Sequence, residues 1–262
     1  ISKSGDTTTT GNENIFYCIN SSVYAGNEDT STTAVWAMTN GLISSSAKGA
    51  NGFFAYGGGR LYLDNIAITN TARASRGLIA TYGGEIYASN MYIETQNETS
   101  SVIATDRGGG KVVVDGGTYV AKGRKCAIIY SAGEMYAYNA TGASENTDGG
   151  EIADVEGDNS ITISNCVFSC NGSSRGILLM QSGSGDASGV NPVVTVTDSS
   201  LTMTDSSAPF IEVATVVDAT ITLDNVELTV PSKILMAVQE GSQWSTSGAT
   251  GTLILKNGDY EG

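Results

Sequence analysis

One short segment, alternating apolar and polar residues and closing on Asn, recurs along most of the chain. Leu61-Tyr62-Leu63-Asp64-Asn65 returns as Ile86-Tyr87-Ala88-Ser89-Asn90 and as Val112-Val113-Val114-Asp115-Gly116. It returns again at Met135 to Asn139, Ile161 to Asn165, Val194 to Asp198, Ile221 to Asn225 and Leu253 to Asn257. From Asn65 the closing position recurs at intervals of 25, 26, 23, 26, 33, 27 and 32 residues. A period near 25 with longer, loop-bearing intervals is the signature of a solenoid. Within each segment the period of 2 marks a strand with one buried face. The inward columns are Leu61, Ile86, Val112, Met135, Ile161, Val194, Ile221, Leu253 and Leu63, Ala88, Val114, Ala137, Ile163, Val196, Leu223, Leu255.

A second strand follows the Asn position, with inward Ile66 and Ile68, Met91 and Ile93, Cys166 and Phe168, Val226 and Leu228. A third opens each coil, as in Phe53-Phe54-Ala55, Leu78-Ile79-Ala80 and Phe210-Ile211-Glu212. The expected fold is all-β, a right-handed single-stranded parallel β-helix of about 8–9 coils with three short strands per coil. At the strand spacing of about 4.8 Å this is a rod of roughly 40 Å. Residues 1–14 read as a tail or linker, 15–52 as irregular N-terminal coils and 53–262 as the β-helix, continuing or capped beyond the C-terminus. The start at Ile1 without Met suggests a processed protein or an excised piece.

Asn tolerates the left-handed backbone of a tight corner, and its amide can bond to the coil beside it. Asn65, Asn90, Asn139, Asn165, Asp198, Asn225 and Asn257, with Gly116 among them, are therefore expected to form a structural ladder. These residues and the coil pattern resemble the pectate-lyase-like right-handed β-helix with its inward Asn ladder, from about Val35 to the C-terminus. Glu151 to Asn165, Met180 to Ser188 and Val217 to Asn225 look more narrowly like the adhesin-like or autotransporter-like repeats of bacterial and archaeal surface proteins. That resemblance implies a secreted or wall-attached protein and supplies no catalytic residues.

Composition narrows the partners. A net charge of −14 disfavours nucleic acid, which needs a basic patch, and also an acidic membrane surface. No run of about 18 apolar residues is present, so membrane insertion is not expected. Cys18, Cys126, Cys166 and Cys170 lack metal-ligand spacing and read as buried free thiols, with one disulfide left open. The absence of His excludes Ser-His-Asp and Cys-His chemistry.

Two outward columns carry candidate chemistry. Arg60, Glu85, Lys111 and Glu134 alternate in sign from coil to coil, as a register-fixing charge ladder does. Beside them run Tyr62, Tyr87, Val113 and Tyr136, then Thr162, Thr195 and Thr222. Stacked tyrosines offer flat apolar surfaces with hydroxyl rims that suit sugar rings, so the expected glycan face is Tyr62, Tyr87 and Tyr136, with Glu85 and Glu134 as acceptors. The Thr column is too short for an ice-binding array.

A lyase needs clustered carboxylates for calcium and an Arg or Lys base. Asp106-Arg107 and the pair Asp154 and Glu156 stand about 10 Å apart by coil spacing, with Ile129 and Tyr130 on the coil between. Arg76, Arg124, Lys125 and Arg175 precede the third strand and form either a basic edge or solvated corner charges. Loops at Gly142 to Gly150 and Gln181 to Pro192 carry Glu145, Asp148 and Asp186 without a recognised calcium spacing. The metal is unassigned: no cofactor is expected, and calcium stays open. The functional expectation is a non-enzymatic extracellular or cell-surface adhesion module, part of a larger surface polypeptide, with a polysaccharide or cell-surface glycan as partner. The alternative is a polysaccharide lyase or glycoside hydrolase acting on acidic polysaccharide from the same fold.

Overall fold

The computed structural model describes residues 1–6, 16–27, 31–184, 186–239, 248–258 and 260. The chain is a right-handed parallel β-helix of about 8 turns, all-β, with a spacing of about 26 residues. Among the described residues every strand pairing is parallel, and the strands form a 12-stranded and a 9-stranded sheet. The repeating segments make the larger sheet, in which Leu61 pairs with Ile86 and Ile86 with Val112. The smaller sheet holds the strands that open each coil, including Phe53–Gly57, Leu78–Thr81, Ala153–Glu156 and Ile177–Met180. Between them lies one continuous core: Leu61, Ile86, Val112, Ile161 and Ile221 are sealed from water, as are Phe53, Leu78, Ile177 and Ile211 of the facing sheet. Each such side chain contributes roughly 1.5–3 kcal/mol on burial. Leu255 departs from its inward column and is 41% exposed, because Thr250–Lys256 is flanked among the described residues only by Asp218–Thr229.

The strand before the Asn position and the strand after it usually run together. Gly59–Asn70, Gly84–Thr95 and Gly110–Ala121 pass unbroken through the corner, whereas Glu134–Tyr138 and Thr141–Ser144 are separate. At the corner Asn65, Asn90, Asn139, Asn165, Asp198, Asn225 and Asn257 all have φ between 49° and 55°. Their side chains bond across coils: Asn65 donates to Asn40 at 2.6 Å, Asn165 to Asn139 at 2.6 Å and Asn225 to Asp198 at 2.8 Å. Where the neighbour is Gly116, Asn139 reaches Asp115 instead, at 2.6 Å. The ladder faces solvent, which corrects the inward ladder implied by the resemblance. In a left-handed corner the residue after two alternating positions turns outward, and the next, such as Ile66, enters the core.

Buried polar columns inside the coil were not anticipated. The Ser75 amide donates to Ser100 Oγ and the Ser100 amide to Cys126 Sγ, so each side chain satisfies the backbone of the coil before it. Cys126, Cys166 and Cys170 are buried free thiols and Cys18 is half-buried and free. The expected loop from Gly142 is also corrected, since Thr141–Ser144 pairs with both Thr118–Ala121 and Val167–Cys170. Gly142 keeps an inward position without a side chain because an added Cβ would lie 2.7 Å from the Tyr119 carbonyl oxygen and 3.1 Å from the Phe168 ring. Of the opening residues, Ser2–Lys3 pairs with Ser44 and Ser45, and Ala34–Ser45 pairs in regular register with the strand that follows. Residues 7–15 of the expected tail and first coil lie outside the described residues.

Candidate functional site

On the outer face of the larger sheet, Tyr62 and Tyr87 occupy partner positions on adjacent strands. Alternation points both rings outward, and they stack with centroids 5.3 Å apart and planes 14° from parallel. Beside the rings runs a shallow groove of about 360 Å³, floored by Leu63 and Ala88 and edged by Asp64, Ser89 and Asp115. Ser89 and Asn90 donate to Asp64 Oδ1 and hold its carboxyl below the usual range.

Tyr136 stands apart from that pair. Val113 occupies the strand between, and Tyr136 instead stacks on Tyr138 at 6.4 Å with the Lys111 ammonium 5.0 Å from its ring centre. Nor is Glu85 open as an acceptor: Arg60 grips it through two bonds, at 2.8 and 3.0 Å, and the Tyr87 hydroxyl donates to it at 2.7 Å. The Arg60 contact holds Glu85 below the usual carboxylate range, while Glu85 pushes the Tyr87 phenol up to about 12. Glu134 accepts from Tyr136 at 3.2 Å and is exposed. The structure thus puts Asp64, Ser89 and Asp115 beside the tyrosine pair where the sequence suggested Glu85 and Glu134.

The smaller sheet carries a second concentration of functional groups. Its outward column runs Phe54, Ile79, Ala104, Tyr130, Asp154, Leu178, Glu212 across adjacent strands. At one end Phe16 covers it: Thr81 Oγ1 donates to the Phe16 carbonyl at 2.9 Å, and the Arg107 guanidinium sits 4.2 Å above the Phe16 ring centre. In the middle the Tyr130 hydroxyl donates to Glu156 at 2.5 Å, and Ser182 donates to the same carboxylate. Arg107 reaches Asp186 in the second loop at 2.6 Å, so that loop is tied down over this face.

Beyond Glu156 opens a cleft of about 450 Å³, lined by residues that include Glu151, Asp154, Arg175 and Glu212. Arg175 bonds Glu212 at 2.6 Å and Glu151 at 3.4 Å. Burial pushes the Asp154 carboxyl up to about 7 and Glu151 well above its usual value. Asp106 is pushed up to about 6 by burial, against the pull of Arg76 at 3.0 Å.

The basic edge is corrected by these pairings. Arg76 and Arg175 are withdrawn from solvent into ion pairs, so they are neither a patch for an anionic polymer nor solvated corner charges; Arg124, bridging Glu98 and Asp148, and Lys125 stay on the surface. Buried carboxylates in these coils require the guanidinium charge. Among the described residues no three or more His, Cys, Asp or Glu are grouped to hold a metal ion. Of the three loop acids Glu145, Asp148 and Asp186, the two aspartates are paired with Arg124 and Arg107. Strand register, hidden in the sequence by the unequal coil lengths, puts Asp154, Leu178 and Glu212 into one column.

Comparisons with known protein families, with curated proteins and with solved structures return no match to this chain.

Proposed function

We propose that the chain is a non-enzymatic, extracellular surface module that holds a glycan against the outer face of its larger sheet. The supporting observation is the stacked, outward Tyr62–Tyr87 pair beside a groove edged by Asp64, Ser89 and Asp115. A sugar ring packs its C–H face on an aromatic plane while its hydroxyls bond to carboxylates and hydroxyls at the edge. A rigid sheet holds both surfaces without ordering a loop on binding, which limits the entropic cost. The Ser-, Thr- and Gly-rich composition and the resemblance to adhesin-like repeats add support for a surface location.

A second reading, a glycoside hydrolase on the same fold, draws on Asp154 and Glu212. Their strands are separated by one other, which places their backbones about 10 Å apart, and Asp154 is raised to about 7. A raised acid opposite a second carboxylate is the pairing that glycosidic cleavage uses. A neutral and acidic glycan panel, polygalacturonate included, separates the two readings when binding and reducing-end release are followed together. Binding without product supports the surface module. Product formation that is lost in Asp154→Asn supports the hydrolase.

A further inference from the structure

Three carboxyls, Glu151, Asp154 and Glu212, converge on the cleft of the smaller sheet, against the cationic side chains Arg175 and Lys125. Arg175 is spent on Glu212 and Glu151, to both of which it bonds. That leaves Asp154, whose Oδ1 is buried and has no hydrogen-bond partner among the described residues. An unpaired buried polar atom is costly and rare in a folded protein, and one that borders an open cleft marks a place for a ligand.

We propose that this cleft binds the primary ammonium group of a small organic ligand, with Asp154 as its counter-ion. The cleft, at about 450 Å³, has the volume of small-ligand pockets. Leu178 and Met180, which point outward on the neighbouring strand and also line the cleft, give the ligand's carbon skeleton an apolar floor. Ser174 and Gln239 supply polar groups at the wall. An anion is disfavoured there, because carboxyls outnumber cations and the Arg175 fork is engaged. The inference stands apart from the glycan face, which lies on the other sheet.

Charge balance gives the site a proton signature. Asp154 stands between Tyr130 and Leu178 on the adjacent strands. The charges that act on it are Arg175, which favours its ionised form, and Glu156 and Glu212, which oppose it, with Glu151 coupled to it as well. An arriving ammonium ion therefore favours the carboxylate and displaces the carboxyl proton to solvent. No covalent bond changes.

The test is calorimetric titration of the whole chain with methylammonium, putrescine and glucosamine, and with N-acetylglucosamine as the uncharged control. The charged amines should bind and N-acetylglucosamine should not. Putrescine, which stays charged throughout, should bind about tenfold more tightly at pH 8 than at pH 6, with a heat that depends on buffer ionisation as a proton is released. Asp154→Asn should weaken binding at least tenfold while thermal unfolding remains cooperative. Glucosamine binding above putrescine assigns the amine to a sugar, and the reverse order assigns it to a polyamine. Amine binding no tighter than that of N-acetylglucosamine overturns the proposal, as does an unchanged affinity in Asp154→Asn. Should that variant fail to fold, amine binding to the unaltered chain without proton release is the contradicting result.

Discussion

Arg76 Nη2 lies 3.0 Å from Asp106 Oδ2, one side chain 8% exposed and the other 3%. The two residues sit on successive coils, and two further nitrogens of Arg76 have no hydrogen-bond partner among the described residues. Removing one member of such a pair strands a buried charge, which costs about 3–5 kcal/mol, whereas replacing both with apolar residues of similar size is often neutral. Urea unfolding at pH 8 should therefore show a large loss for Arg76→Met and recovery of most of it in Arg76→Met with Asp106→Leu. At pH 5 the loss in the single variant should shrink, because Asp106 can then take up a proton.

The part of this architecture that was legible in the sequence is the part written with period 2. Leu61, Ile86 and Val112 form a legible column because each coil repeats the same apolar choice; the cysteines, expected as buried thiols with one disulfide left open, are all free, and three of the four are buried. The core position of Tyr119 was not legible, since a Tyr in a Gly-rich stretch reads as surface; in the fold its hydroxyl donates to the Gly116 carbonyl at 3.0 Å while its ring is buried. The cleft escaped for a different reason. Arg175 finds Glu151 and Glu212 at separations of 24 and 37 residues, and the unequal intervals conceal that register. The tyrosine pair was legible from residue type, but its groove was not, because Glu85 is consumed by Arg60 and Tyr87.

Acidity should stabilise the fold before it damages it. Asp106 and Asp154 stand at about 6 and about 7 in the folded chain, above their ordinary 3.8. Folding therefore takes up protons at mildly acidic pH, and the associated stability is full below 3.8 and lost as pH rises through 6 to 7. Glu85, Glu94 and Glu98 are lowered, chiefly by hydrogen bonds from Arg60, Lys122 and Arg124 respectively, and act oppositely. Their contribution is present above the ordinary value of 4.5 and lost as pH falls through the folded values. Thermal unfolding should give a higher Tm at pH 5 than at pH 8, with a decline below about 4. A Tm that climbs steadily from pH 5 to 8 contradicts these assignments.

Asn225 should matter more than an exposed residue ordinarily does. It holds φ 55° and donates to Asp198 at 2.8 Å. Ala in that backbone region costs about 1–2 kcal/mol, and the lost bond about 0.5–1.5 kcal/mol more. Gly escapes the first cost. Asn225→Ala should lower the urea midpoint more than Asn225→Gly, and equal effects would show that the left-handed corner is not the source of the stability.

In the proposed function Tyr62 and Tyr87 form the platform against which a glycan packs. The most direct measurement is the affinity of the best ligand from a glycan panel for the unaltered chain and for Tyr62→Ala with Tyr87→Ala, after circular dichroism has verified that both fold. Both rings face outward, so the fold should survive their loss. The double variant should bind at least tenfold more weakly, about 1.4 kcal/mol, with Tyr136→Ala close to unaltered because Val113 separates it from the pair. An affinity unchanged in the double variant, or lost only on altering Asp154, would contradict the proposed function.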